Sequence, residues 1–422
     1  MDGDGRTGLD EPLADGRARR TWPDGDTRIP DWIYTDPDIY RDEVDRIFLG
    51  RHWNFVGLEC EVPNPGDYIR SYVGPVPVVV TRDMDGEIHV FENRCAHRGV
   101  EFCREYRGTA DSFICPYHNW TYSLKGDLSA VPFRRGVKGK GGMPAGFDMA
   151  EHGLRKFFVA TRGGVMFASA CADMESIEDY LGPEVLEEFD ATFDGEMKLL
   201  GLHRNIIPSN WKLYQENLKD PYHATLLHTY LTTFGLFVSS NESKILVDPL
   251  GRHGGLLSRR PPDRPDVSEE DQSNMQAFKK AMELNDPRVL EFVREFDSKW
   301  SGSVLTIWPS LTALRQTNIL NTRLLVPRGP NEFIMIWAVF GRVGDDEEMV
   351  RHRLRQNNIF GPAGFLGIED NEALKFLQDG LMKAMPADGL ALLGDDDETP
   401  DTIITERAIR AMYRYYRGVM GL

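Results

Sequence analysis

Two short stretches of this chain bring thiolate and imidazole together: Cys95-Ala-His97-Arg-Gly and, with seventeen residues between His97 and Cys115, Cys115-Pro-Tyr-His118-Asn-Trp. A Cys-x-His pair and a Cys-x-x-His pair on two loops can close one four-ligand metal site. Zinc accepts that set, because thiolate and imidazole suit its tetrahedral shell. A two-iron two-sulfur cluster accepts it too, with both cysteines on one iron and both histidines on the other. Spacing alone does not separate the two. The mixed pairing favours iron, since zinc pairs are usually of the Cys-x-x-Cys or His-x-His type, whereas each loop here offers one thiolate with one imidazole.

A second constellation runs from Asn210-Trp211 through Glu216-Asn217-Leu218-Lys219-Asp220-Pro221-Tyr222-His223 to His228. Two imidazoles with a carboxylate form the facial set that holds ferrous iron while leaving positions open for dioxygen and substrate. At about 100° per residue, His223 and His228 lie about 140° apart on a regular helix, which would not aim both at one ion. A helix break or a π-bulge is therefore required, and Pro221 already disturbs the preceding turn by removing a backbone donor. The alternative is that both histidines are core residues with ordinary hydrogen bonds.

The elements that must position these groups follow from patterning. At 422 residues, 41% of them hydrophobic, the chain has the length of two domains. Residues 1–27, rich in Gly, Asp and Arg, read as a disordered arm. Residues 28–52 read as a helical segment opened by Asp36 and packed on the larger domain. Short strands with Gly turns over 53–160 give a small antiparallel domain that carries both cluster loops. Residues 161–422 mix strands and helices: Val159–Ala168 alternates as one strand, Thr312–Leu320 as another, and an exposed loop is expected over Arg259–Ser273. Helical pattern returns at Asn371–Leu381 and Thr405–Val419. The fold class is α+β, with a curved antiparallel sheet wrapped around helices in helix-grip style.

No apolar run reaches the ~18–20 residues of a membrane span, and no signal-peptide core is present, so a cytoplasmic protein without a membrane partner is expected. The net charge of -17 argues against nucleic acid. With Cys95 and Cys115 used by metal, Cys60, Cys103 and Cys171 form no disulfide framework.

The two cluster loops resemble those of the Rieske non-heme iron oxygenases, and Asp220-x-x-His223-x4-His228 resembles the iron-site segment of the aromatic-ring-hydroxylating members. The resemblance covers residues 28–420 or nearly so. It implies a Rieske [2Fe-2S] cluster on Cys95, His97, Cys115 and His118, and a mononuclear Fe(II) held by His223 and His228. Gly361 to Asn371 is similar to the family's last-ligand segment, which makes Asp370 the third ligand and Glu369 its neighbour outside the ligand set; acids at a helix N-terminus are the alternative for both. By the same resemblance Asp220 and Asn217 are catalytic, Asp220 linking an iron ligand to a cluster histidine of the neighbouring subunit. Electrons are expected from NADH through a reductase and ferredoxin, and the assembly as a trimer of large subunits with small beta subunits. A ferredoxin-type electron carrier needs only ~100 residues and leaves the His223, His228 and Asp370 set unexplained; a zinc-stabilised binding protein would be colourless.

Within the family the likeness is to members acting on benzoate-type acids. An acid in a mostly apolar pocket needs a fixed cation, and Arg323, on the otherwise apolar run Thr322 to Val326, is the candidate. Gln316 and Asn318 could address an ortho hydroxyl or amino group. Salicylate therefore ranks first, with hydroxylation at position 5, then anthranilate. Terephthalate would need a second cation where the chain offers Ile403 and Ile404.

Overall fold

The computed structural model describes residues 20–238, 241–260, 282–394 and 402–422, together with Glu269 and Ser273. The loop expected over Arg259–Ser273 lies almost wholly outside the described residues, as do the first nineteen residues of the expected arm.

The first sheet has seven antiparallel strands in the order Asn54–Leu58, Val165–Ser169, Lys156–Arg162, Ile88–Glu92, Val76–Arg82, Asp67–Val73, Arg107–Thr109. A three-stranded sheet of Ser112–Ile114, Thr121–Ser123 and Leu128–Ala130 lies beside it. The expected single strand over Val159–Ala168 is a hairpin. Gly163 and Gly164, at φ 55° and 74°, make its two-residue turn, which only residues free of a Cβ penalty adopt readily.

The second sheet also has seven strands, ordered Met197–Ile207, Phe333–Arg342, Ile319–Pro327, Leu311–Gln316, Gly302–Ile307, Gly254–Ser258, Ser243–Val247, all antiparallel. The strand expected over Thr312–Leu320 is interrupted: Thr317, at φ 55°, turns the chain back so that Gln316 pairs with Ile319. Helices Trp211–Lys219, Glu347–Phe360, Phe365–Lys383 and Arg407–Met420 pack around this sheet.

Asp36 caps the helix Pro37–Glu43 by accepting from Asp38 N at 2.7 Å, and Val44–Phe48 continues it as a π-helical turn. The apolar face of this segment, with Ile39, Ile47 and Phe48, joins Trp211, Trp308, Tyr413 and Tyr416 in one core. Trp22 departs from the arm reading: it is buried, its ring 5.7 Å from Tyr413 and 6.3 Å from Tyr416. A single large apolar side chain leaves no periodicity, yet burying it contributes ~1.5–3 kcal/mol, and the C-terminal helix supplies the surface.

Candidate metal centres and the pocket beside them

The two cluster loops are built alike. Cys95 N donates to Val100 O and Gly99 N to Cys95 O, both at 2.8 Å; Cys115 N donates to Trp120 O at 2.8 Å and Asn119 N to Cys115 O at 2.9 Å. Each closes on a left-handed residue four positions after its cysteine, Gly99 at φ 72° and Asn119 at φ 55°, the residue types that accept this conformation. Cys95 and Cys115 are buried while His118 is exposed, and the His97 and His118 rings lie 4.5 Å apart. His97 stacks flat on Trp120 at 4.8 Å, and the Tyr122 hydroxyl sits 3.2 Å from Cys95 Sγ while accepting from Ala96 N.

His97 Nδ1 is buried without a hydrogen-bond partner among the described residues, a loss of about 1–3 kcal/mol if nothing binds it. Burial pushes the Cys115 thiol up, and the adjacent Cys95 sulfur adds to the effect. An iron–sulfur cluster relieves both, so the donor set fits it.

The helix Trp211–Lys219 starts where Asn210 Oδ1 accepts from Lys212 N at 2.9 Å and stops at Asp220. It resumes as His223–Leu226, breaks again at His228 with ψ 66°, and continues as Thr229–Thr233. The break at His228, the one that falls between the two histidines, removes the helical offset, and the imidazoles come within 5.2 Å ring to ring. Asp370 arrives from Phe365–Lys383: its Oδ1 is 3.1 Å from His228 Nε2 and 3.6 Å from His223 Nε2, and one donor atom from each of the three residues lies within 4.8 Å of the others. Asn217 Nδ2 donates to the same Oδ1 at 3.1 Å.

Each imidazole also has a carboxylate behind it. Glu369 Oε2 meets His228 Nδ1 at 2.8 Å, and Asp220 Oδ2 faces His223 Nδ1 at 3.3 Å. Of the two neighbouring acids, Asp370 thus faces both inner nitrogens and Glu369 only the outer nitrogen of His228. Burial alone would lower the His223 imidazolium, but Asp220 and Asp370 outweigh it and push it up to about 10. Despite its burial, Asp370 is held well below the usual carboxylate range by the two imidazoles. The two imidazoles hold protons tightly against an ionised carboxylate, and such a set is suited to exchange those protons for a divalent ion; two imidazoles and one carboxylate fit ferrous iron.

A cavity of about 80 Å³ adjoins this triad. Its sheet wall reads in rows, because every second residue faces it. Arg323 lines it from a cross-strand row whose other members, Thr306, Thr312 and Trp337, do not; Leu256, Val304 and Leu314 line it in the next row, and Ser258, Gly302 and Gln316 at the far end. Arg323 is buried, its guanidinium 3.9 Å over the Trp337 ring; Nη1 donates to Tyr214 Oη at 2.8 Å and Nε to Asn321 Oδ1 at 3.3 Å. It is the one Lys or Arg among the described lining residues.

Gln316 lines the cavity, as expected. Asn318 does not. It stands in the turn after Thr317, where its amide donates to Val293 O at 2.7 Å and Glu295 Oε1 at 2.6 Å and its Oδ1 accepts from Val293 N. Sequence reasoning also passed over Tyr214 and Trp337. Tyr214 shares a helix face with Asn217 by i,i+3 spacing, and Trp337 is the cross-strand neighbour of Arg323, so the first was within reach of sequence alone.

Residues 52–140 match the Rieske [2Fe-2S] domain, and residues 185–422 match the ring hydroxylating alpha subunit (catalytic domain). The chain is 47% identical over 410 residues to the salicylate 5-hydroxylase large oxygenase component of Ralstonia sp, covering 95% of this chain and 96% of that protein. It is 39% identical to the anthranilate 1,2-dioxygenase large subunit of Burkholderia cepacia, covering 94% of each chain. It is also 40% identical to the terephthalate 1,2-dioxygenase terminal oxygenase component subunit alpha 2 of Comamonas sp, over 94% of this chain and 96% of that one. Naphthalene 1,2-dioxygenase from Rhodococcus sp. shares the fold, with a TM-score of 0.76 at 24% identity over 93% of this chain and 94% of that one. A catalytic-domain match over more than half of the chain, joined to full-length relatives at this identity, places the protein among the Rieske non-heme iron ring-hydroxylating oxygenases, as a large (alpha) subunit that uses a [2Fe-2S] cluster and mononuclear iron.

Proposed function

We propose that this subunit hydroxylates a benzoate-type aromatic acid, with salicylate to gentisate as the first choice and anthranilate as the second. The observation that carries this reading is Arg323: one buried cation at one end of an otherwise uncharged sheet wall. A planar guanidinium holds both oxygens of a carboxylate, and Nη2 has no protein partner among the described residues. The ring then lies along Leu256, Val304 and Leu314. The far row of Ser258, Gly302 and Gln316 offers polar but uncharged groups, which suits a hydroxyl or amino substituent and not the second carboxylate of terephthalate.

Cys95, His97, Cys115 and His118 are assigned to the cluster, and His223, His228 and Asp370 to the ferrous ion. When bound, these groups supply single electrons and activate dioxygen beside the ring. Glu369 and Asp220 turn His228 and His223 so that their inner nitrogens converge. Asp220 keeps its Oδ1 on Tyr222 N at 2.8 Å and is partly solvent-exposed, as a link to the cluster histidine of a neighbouring subunit requires. Leu231, Phe237 and Leu366 shield the pocket from water. A trimer of large subunits with small beta subunits, fed from NADH through a reductase and ferredoxin, is the assembly this reading takes. No helix among the described residues is long and apolar enough to cross a membrane, and five cysteines none of which is in a disulfide suit the cytoplasm.

The test is turnover of salicylate, anthranilate and terephthalate by the reconstituted system, with products identified by chromatography. Gentisate from salicylate is expected, in protein carrying iron with acid-labile sulfide. Faster turnover of terephthalate than of salicylate overturns the ranking, and zinc without sulfide overturns the metal assignment.

A further inference from the structure

We propose that a second, outer cleft captures the aromatic carboxylate from solvent before it enters the pocket; this rests on the aromatic-acid reading above. The cleft has a volume of about 370 Å³, against about 80 Å³ for the inner pocket. Arg259, Arg260, Arg294 and Lys299 line it, with Trp300 and Phe292 among its apolar residues. The linings of the two cavities are consecutive in sequence: Ser258 and Gly302 line the inner one, and the adjoining residues Arg259, Arg260 and Ser301 line the outer one. Arg260 N donates to Ser301 Oγ at 2.6 Å and closes the two segments together at that junction.

Among the described residues the charges there do not balance. Glu242 pairs with both Arg259, at 3.1 Å, and Lys299, at 3.3 Å. Among the described residues Arg260 is tied only to neutral groups, its Nη1 donating to Leu290 O at 2.6 Å, and Arg294 has no carboxylate within ion-pair reach. Burial pulls the Arg260 guanidinium down with no acid to offset it. In a chain of net charge -17, which repels anions at long range, the four lining cations, met among the described residues by Glu242 and by a Glu188 that is already paired with Arg315, make a local attractor for a small anion, and a concave wall focuses that field. Lys299 Nζ already lies 4.2 Å over the Trp300 ring, so the cleft combines cationic groups with aromatic surface, the pairing that recognises an aromatic carboxylate.

The experiment compares the parent with Arg260→Gln/Arg294→Gln and with Arg294→Glu, a single exposed change that guards against a folding defect in the double variant. In the reconstituted enzyme, kcat/KM for salicylate should fall roughly tenfold in either variant, with kcat and iron content unchanged. The loss of kcat/KM on raising NaCl should be shallower in the variants than in the parent. Separately, salicylate fluorescence should detect a weak site that persists in Arg323→Ala and disappears in Arg323→Ala/Arg294→Glu. Persistence and loss in that pair supports the outer site even if no aromatic acid is turned over, which separates its fate from that of the functional reading. Parent-like kcat/KM and salt dependence, or no salicylate bound to Arg323→Ala, overturns the proposal. So does a variant defect confined to cluster reduction by the ferredoxin, which would make the cleft a protein-docking surface.

Discussion

Replacing Arg323 separates charge from geometry at the substrate anchor. In the parent, one guanidinium lines the pocket, stacks on Trp337 and donates to Tyr214 and Asn321, with no protein partner for Nη2 among the described residues. Arg323→Lys keeps the charge but has a single ammonium, which cannot serve Tyr214 and also present two parallel donors to a carboxylate. Losing one charge-assisted hydrogen bond costs about 1.5–3 kcal/mol, so salicylate should bind roughly tenfold to hundredfold more weakly. Arg323→Ala leaves the carboxylate unpaired in an apolar wall, at about 3–5 kcal/mol, or roughly two to three and a half orders of magnitude at the inner site. Anaerobic titration of salicylate fluorescence measures both, with visible spectrum, iron and sulfide as controls that stay at parent levels. Turnover KM for salicylate in Arg323→Ala within threefold of the parent, with the metals intact, refutes the argument.

Three further outcomes are expected. Asp220→Asn keeps both metals and substrate binding but loses turnover, because the amide cannot hold His223 Nδ1 and a neighbour's cluster histidine as a carboxylate does; loss of the mononuclear iron itself would contradict this, as would normal activity. His118→Ala removes the visible Rieske spectrum while the separate site still takes up iron, and an unchanged spectrum would refute the cluster assignment. Glu216 accepts from Tyr34 Oη at 2.7 Å and from Tyr413 Oη, and burial pushes its carboxyl from 4.5 up to about 7. A raised folded-state value means that its contribution is complete below about pH 4.5 and is lost as pH rises through about 7, a change of at most about 3 kcal/mol. Glu216→Gln should therefore gain stability relative to the parent between pH 5 and pH 8 in urea unfolding, and equal pH dependence of the two proteins would refute that.

The sequence by itself determined what depends on near neighbours. Cys95 and His97, Cys115 and His118 sit on loops of a few residues, closed by Gly99 and Asn119, so residue type and short spacing carry the site. The break between His223 and His228 followed from helix geometry, and the inward face of Arg323 from an apolar strand. Tertiary structure decided what depends on distant segments. Asn217 and Asp370 are 153 residues apart, and the choice between Glu369 and Asp370 rests on helical rotation. The helix begins at Phe365, ahead of the expected Asn371, so the two acids fall in its second turn, about 100° apart, and only one faces both imidazoles. Asn318 left the pocket because the positive φ of Thr317 turns the chain there, a conformation that a β-branched residue rarely adopts and that alternation does not reveal. Trp22 found its core, and Arg260 and Arg294 their common cleft, only because the fold brought remote segments together; burial and charge balance at such places are properties of the assembled neighbours, which local periodicity does not record.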